Sequence, residues 1–117
     1  MVLIDLKSIN SFVKDLKRNN AFNDTLTLTF SEFGRRVKQN AANGTDHGSA
    51  NNVFVIGKQL KQAGFYNNLA SLSDLDTNGD LKFEIDFRSI YATILNEWMQ
   101  VSSDGIINSK HKTLNFI

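Results

Sequence analysis

The sequence contains no cysteine and no proline. Without cysteine, neither a disulfide framework nor a thiolate metal site can form, and the redox compartment stays open between cytoplasm and periplasm. Without proline, turns must be built from Asn, Asp, Gly and Ser, which tolerate left-handed geometry or cap the backbone. A surplus of charge of one sign is missing too. The formal net charge is +1, which gives no footprint for nucleic acid or for an acidic partner. No apolar run approaches the roughly 18 residues of a membrane span. The N-terminal MVLIDLKSIN has a short apolar start but an early Asp5, and it lacks the basic start, long apolar stretch and cleavage site of a signal peptide. If a longer parent protein is exported to the periplasm, its signal is expected outside these residues.

What is present is a composition ordinary for a globular domain: 117 residues, 41% hydrophobic and 21% charged. Residues 4–18 predict an amphipathic helix, with Leu6, Ile9, Phe12, Val13 and Leu16 at helical spacing and Asn19 and Asn20 as its stop. Residues 25–30, TLTLTF, alternate with the period of a β-strand. A polar stretch, SEFGRR, and a loop rich in small residues, KQNAANGTDHGSANN, follow. The continuous apolar run VFVI at 53–56 predicts a strand buried on both faces, as in a mostly parallel sheet. LSDLDTNGDLKFEID predicts a turn and an extended segment. From Asp86, a good N-cap, Phe87, Ile90, Tyr91, Ile94, Leu95, Trp98 and Met99 form a core-facing helical stripe. The tail ends in a short apolar strand or packing segment. There is no internal repeat, linker or low-complexity block. Helix, strand, loop and buried strand together predict α/β organisation in one domain spanning 1–117.

Three constellations carry possible chemistry. Asp46 and His47 offer oxygen and nitrogen ligands for a divalent metal, with Gly44 and Gly48 allowing close approach of the backbone. The bland alternative is a loop in which Asp46 caps a turn and His47 is solvated. Glu32 directly follows the TLTLTF strand, where ligands sit in open α/β sheets, so it suits a metal or acid/base role, and Arg35 suits an anionic group. The alternative is a surface Glu–Arg pair. Asp74, Asp76, Asn78 and Gly79 imitate the start of a calcium loop, but the position that needs a bidentate Glu is Ile85. This reads as an Asn- and Asp-rich turn, with a small calcium-binding module as the weaker option. His111 lies in a basic, polar tail and reads as solvated.

In order, DTLTLTFSEFGRR, GTDHGSANNVFVIG and DLKFEIDFRSIYATILNEWMQV resemble the C-terminal region of the bacterial family grouped under "domain of unknown function 1501". The resemblance covers nearly the whole chain and places it in the alkaline phosphatase and sulfatase superfamily. It implies the C-terminal portion of an alkaline-phosphatase-like α/β fold, with a mostly parallel sheet flanked by helices and a two-metal site at the strand ends. In active members a late strand ends in a metal-binding Asp-His pair; here Glu32 stands at that place and no His follows it. His47, leading through a small loop into VFVIG, is similar to a later histidine ligand, and Asp46 joins the site or orients His47 from behind. The resemblance thus implies zinc, manganese or calcium at Glu32, Asp46 and His47, with Arg35 on a phosphate or sulfate ester. The nucleophile and the remaining ligands are expected in an N-terminal half of the parent domain that this chain lacks, so it should be inactive alone. The altered strand end leaves a second reading open, a non-catalytic exported scaffold that keeps the fold. Strands such as VFVI expect neighbours on both sides, so the chain alone is expected to be marginally stable or to self-associate.

Overall fold

The computed structural model describes residues 6–108 and 110–117. Helix α1 spans Leu6–Arg18 and carries Lys17 and Arg18 in its last turn, where cations suit the carbonyl end of a helix. Ile4 and Asp5, the expected start of this helix, lie outside the described residues. The stop falls where the asparagines predict it. The Asn19 side chain donates to the Asp15 carbonyl at 3.0 Å, and Asn20 takes the left-handed φ of 56° that ends a helix. The apolar stripe of α1 is poorly covered: no residue of the helix is buried, and Phe12 is 48% exposed.

Four short strands follow a single turn of 3-10 helix at Phe22–Asp24: β1 (Leu26–Thr29), β2 (Gly34–Gln39), β3 (Thr45–Gly48) and β4 (Phe54–Gly57). β1 pairs antiparallel with β4, setting Leu26 against Gly57 and Thr29 against Phe54. β2 pairs antiparallel with β3, setting Gly34 against Gly48 and Arg35 against His47. The β2–β3 pair is thus inserted between the two strands of the other sheet. Its turn is closed by Asn40, whose Oδ1 accepts from the Ala42 and Gly44 amides at 3.0 Å each, while Asn43 takes a φ of 59°.

Helix α2 spans Phe87–Thr93 and runs on as a π-helical turn over Ile94–Trp98. Asp86 caps it as predicted, accepting from the Arg88 amide at 2.9 Å. The predicted stripe is only partly inside: Phe87 and Met99 are each 56% exposed, and the buried residues of the helix are Ala92 and Thr93. Thr93 ties the C-terminal tail to the helix. Its hydroxyl donates to the Ser89 carbonyl and accepts from the Leu114 amide, both at 2.7 Å. The tail is irregular, without a strand of its own among the described residues.

The expected architecture, an alkaline-phosphatase-like α/β fold with a mostly parallel sheet flanked by helices, is not the one formed. The described residues make two separate two-stranded antiparallel sheets, and no parallel sheet lies between helices. The physical reason lies between residues 30 and 53. A parallel neighbour needs a crossover, usually a helix, that carries the chain back to the starting end. Here the intervening segment folds on itself as β2–β3, so the chain returns antiparallel. The VFVI run therefore gains one neighbour, β1, and is not buried on both faces: Phe54 is 47% exposed.

Candidate functional site

The candidate residues converge on the β2–β3 pair and the bend that leads into it. Phe33 stands just before β2, two residues from Arg35, so the two share one face of the strand. Arg35 is the cross-strand partner of His47, which brings the imidazole to that same face. The His47 ring stacks on Phe33 with centroids 3.6 Å apart and 12° between planes. The Arg35 guanidinium lies 5.1 Å from the same phenyl ring and donates to the Thr45 carbonyl at 2.7 Å. Arg35 and His47 are both exposed, so an imidazole and a guanidinium are presented side by side to solvent against one aromatic platform.

Asp46 is directed elsewhere. Because Thr45–Gly48 is a strand rather than the expected loop, neighbouring side chains alternate across it, and Asp46 faces away from His47. Its carboxylate accepts from Asn40 Nδ2 at 2.9 Å. On that side it borders a shallow polar basin of about 410 Å³, together with Arg36, Lys38, Asn78 and Gly79. Arg36 in turn donates to Asp80 at 2.9 Å, and that carboxylate is nearly buried, with 8% of the residue exposed. Glu32 is exposed in the bend between β1 and β2 and forms no ion pair among the described residues.

The structure therefore brings Arg35 and His47 together and sends Asp46 to the opposite face. Among the described residues, no three His, Cys, Asp or Glu side chains cluster in a way that holds a metal ion. Glu32, Asp46 and His47 do not by themselves form a metal cage. The calcium-like loop is committed to other partners. Asp74 pairs with Lys82 at 2.6 Å, Asp76 accepts from the Asn78 and Asp80 amides, and Asp80 holds Arg36. Gly79, at a φ of 81°, closes the turn that this stretch predicts. His111 is half-buried, its Nε2 lying 3.3 Å from the Asn108 carbonyl oxygen.

Sequence reasoning missed Phe33 as the platform and Asn40 as the organiser of the Asp46 side. The signal was the Asn43-Gly44 dipeptide, a strong hairpin marker. It was masked because the flanking segments, GRRVKQ and TDHG, are polar and do not alternate.

No curated protein and no solved structure matches this chain. Residues 7–109 match the family described as protein of unknown function (DUF1501). That match takes in α1 from its second residue, all four strands and α2, and the chain belongs to this family.

Proposed function

We propose that this chain is part of a hydrolase-like protein of the phosphatase and sulfatase superfamily, and that its own contribution is to hold the oxyanion of a phosphate or sulfate ester. The observation that supports this is the paired presentation of Arg35 and His47 on Phe33. A guanidinium offers planar, forked donors that match phosphate and sulfate oxygens. Its Nη1 is spent on the Thr45 carbonyl, which orients the group and leaves its remaining donors for a ligand. The imidazole beside it can donate a further hydrogen bond or take up a metal. Zinc, manganese or calcium in such a protein would need ligands beyond Glu32, Asp46 and His47, of which Asp46 and His47 lie on opposite faces of β3, so no chemical step is assigned to a metal. The chain alone is then a binding element without turnover. The test is a titration of inorganic phosphate followed by amide NMR. The reading expects millimolar binding with shifts at Arg35 and His47 that vanish in Arg35→Ala. Shifts that are absent, or that persist in Arg35→Ala, would sink it.

The second reading is a non-catalytic scaffold or binding protein. Two features favour it: no three-ligand cluster occurs among the described residues, and Phe65, Leu69 and Leu72 are 84%, 77% and 69% exposed. Such side chains suit a surface that other protein covers. Phosphatase and sulfatase assays on this chain and on any longer protein containing it decide between the readings. Turnover that is lost in His47→Ala rules the scaffold out.

A further inference from the structure

We infer that Asp80 is a positioning residue for the Arg35–His47 pair: the turn at Asp76–Leu81 grips the β2–β3 hairpin from behind and fixes the register that sets the guanidinium beside the imidazole. What that register does for a ligand rests on the oxyanion reading of the pair. The ladder does not fix the register by itself. Strands are held in register where one face is apolar and buried, and they slip where both faces are polar or rich in glycine. β2 and β3 read GRRVKQ and TDHG, and of these residues only Gly34 is buried. The Asn40 turn sets the end at Gln39 and Thr45, but the pairing is irregular between there and Arg35. β2 takes four steps from Arg35 to Gln39 while β3 takes two from His47 to Thr45. A two-stranded hairpin alone is also marginally stable in water.

A distant turn supplies what the ladder lacks. Arg36 follows Arg35, so its side chain leaves β2 on the opposite face. There its Nε donates to Asp80 Oδ1 at 2.9 Å, 44 residues along the chain. Just beyond β3, Ser49 Oγ donates to the Leu81 carbonyl at 3.2 Å, 32 residues along. Both strands are thus tied to one turn, and that turn is closed by its own bonds. Asp76 Oδ1 accepts from the Asn78 and Asp80 amides at 2.9 and 2.8 Å, the Asp76 amide donates to the Asp80 carbonyl at 2.9 Å, and Leu75 bridges to Leu81. The Asp80 side chain is 11% exposed, so solvent and salt screen its pairing with Arg36 little. A one-residue slip of β2 turns Arg36 to the other face and leaves that carboxylate buried without its partner. The cost of stranding a buried charge opposes the slip, and Arg35 stays opposite His47.

NMR of the whole chain separates register from binding. Cross-strand NOEs between Arg35 and His47, and the ring-current shift of His47 over Phe33, read the register with no ligand present. NOEs between Leu26 and Gly57 report whether the β1–β4 sheet stays folded. In Asp80→Ala the Arg35–His47 NOEs and the His47 shift are expected to disappear while the Leu26–Gly57 NOEs remain. Binding of inorganic phosphate is expected to weaken about tenfold. Asp80→Asn keeps an acceptor for Arg36 and is expected to retain the NOEs, with phosphate binding within about threefold of the unmodified chain. Arg35–His47 NOEs that persist in Asp80→Ala overturn the inference, as does phosphate binding that is unchanged in it. Loss of the Leu26–Gly57 NOEs along with the others also overturns it, because the ion pair would then support the whole fold. An Asp80→Asn protein that behaves like Asp80→Ala has the same consequence. If the unmodified chain binds no phosphate, the oxyanion reading falls, and the NOEs still decide whether Asp80 sets the register.

Discussion

Two threonines show how the same side chain can have opposite value. The Thr93 hydroxyl is fully buried and joins two backbone groups, the Ser89 carbonyl and the Leu114 amide. Thr93→Val keeps the shape and strands the Leu114 donor, which should cost about 1–3 kcal/mol. Thr29 Oγ1 is buried with no hydrogen-bond partner among the described residues. Thr29→Val removes an unpaired hydroxyl from the same kind of surroundings and should be neutral or stabilising by up to about 1 kcal/mol. Urea denaturation of the two variants checks the sign of each. Gly34 is constrained differently. A Cβ added there would lie 1.5 Å from the Ala50 carbonyl oxygen, so the strand after the Phe33 platform and the loop after β3 can approach only because no side chain intervenes. Gly34→Ala is expected to destabilise by about 3 kcal/mol or more and to separate Phe33 from His47, seen as loss of the ring-current shift on the imidazole protons.

At the scale of the element, α2 starts where local chemistry tells it to. The Arg88 side chain and amide both donate to Asp86, and these bonds hold its carboxyl at about 2, below the ordinary 3.8. A folded-state pKa lowered in this way contributes stability that is complete above the unfolded value and is lost as pH falls through the folded one. Acidification from pH 4 to pH 2 should therefore weaken the helix start. Asp86→Ala should remove that acid dependence and cost about 1 kcal/mol at neutral pH. Helical circular dichroism against pH, for both proteins, makes the comparison; an identical acid slope in the two would refute the assignment. The strands obey a less local rule. TLTLTF was legible as a strand because Leu and Thr alternate, and β1 forms at Leu26–Thr29. GRRVKQ and TDHG were not legible. Their ladder is held by cross-strand geometry and by the Asn40 turn, and neither leaves an apolar period in the sequence.

At the scale of the whole molecule, surface outweighs core. A compact chain of 13.1 kDa is expected to expose about 6,400 Å², and this one exposes 8994 Å². Its radius of gyration is 16.5 Å, against about 13 Å for a compact domain of this length. Ala92 is the one fully buried hydrophobic residue among those described. Because denaturant sensitivity scales with the surface exposed on unfolding, the isolated chain should melt with a shallow urea slope and a stability below the usual 5–15 kcal/mol. It should also bind a hydrophobic dye before melting. A steep single transition with no dye binding would contradict this. The exposed Phe65, Leu69 and Leu72 sit in a stretch without regular structure, where the composition alone predicts nothing unusual.

The sequence by itself determined what depends on neighbours along the chain. It set the asparagine stop of α1, the β1 alternation, the Asp86 cap, the Asp76–Gly79 turn and, through the order of its motifs, the family. Tertiary structure decided what depends on which segment meets which. It chose an antiparallel rather than a parallel neighbour for VFVI, paired Arg35 with His47 and turned Asp46 away. Periodicity records how much of a strand is apolar and on which face. It does not record the direction of the partner strand, because a short apolar run fits either ladder and the direction is set by the path the chain takes between the two strands.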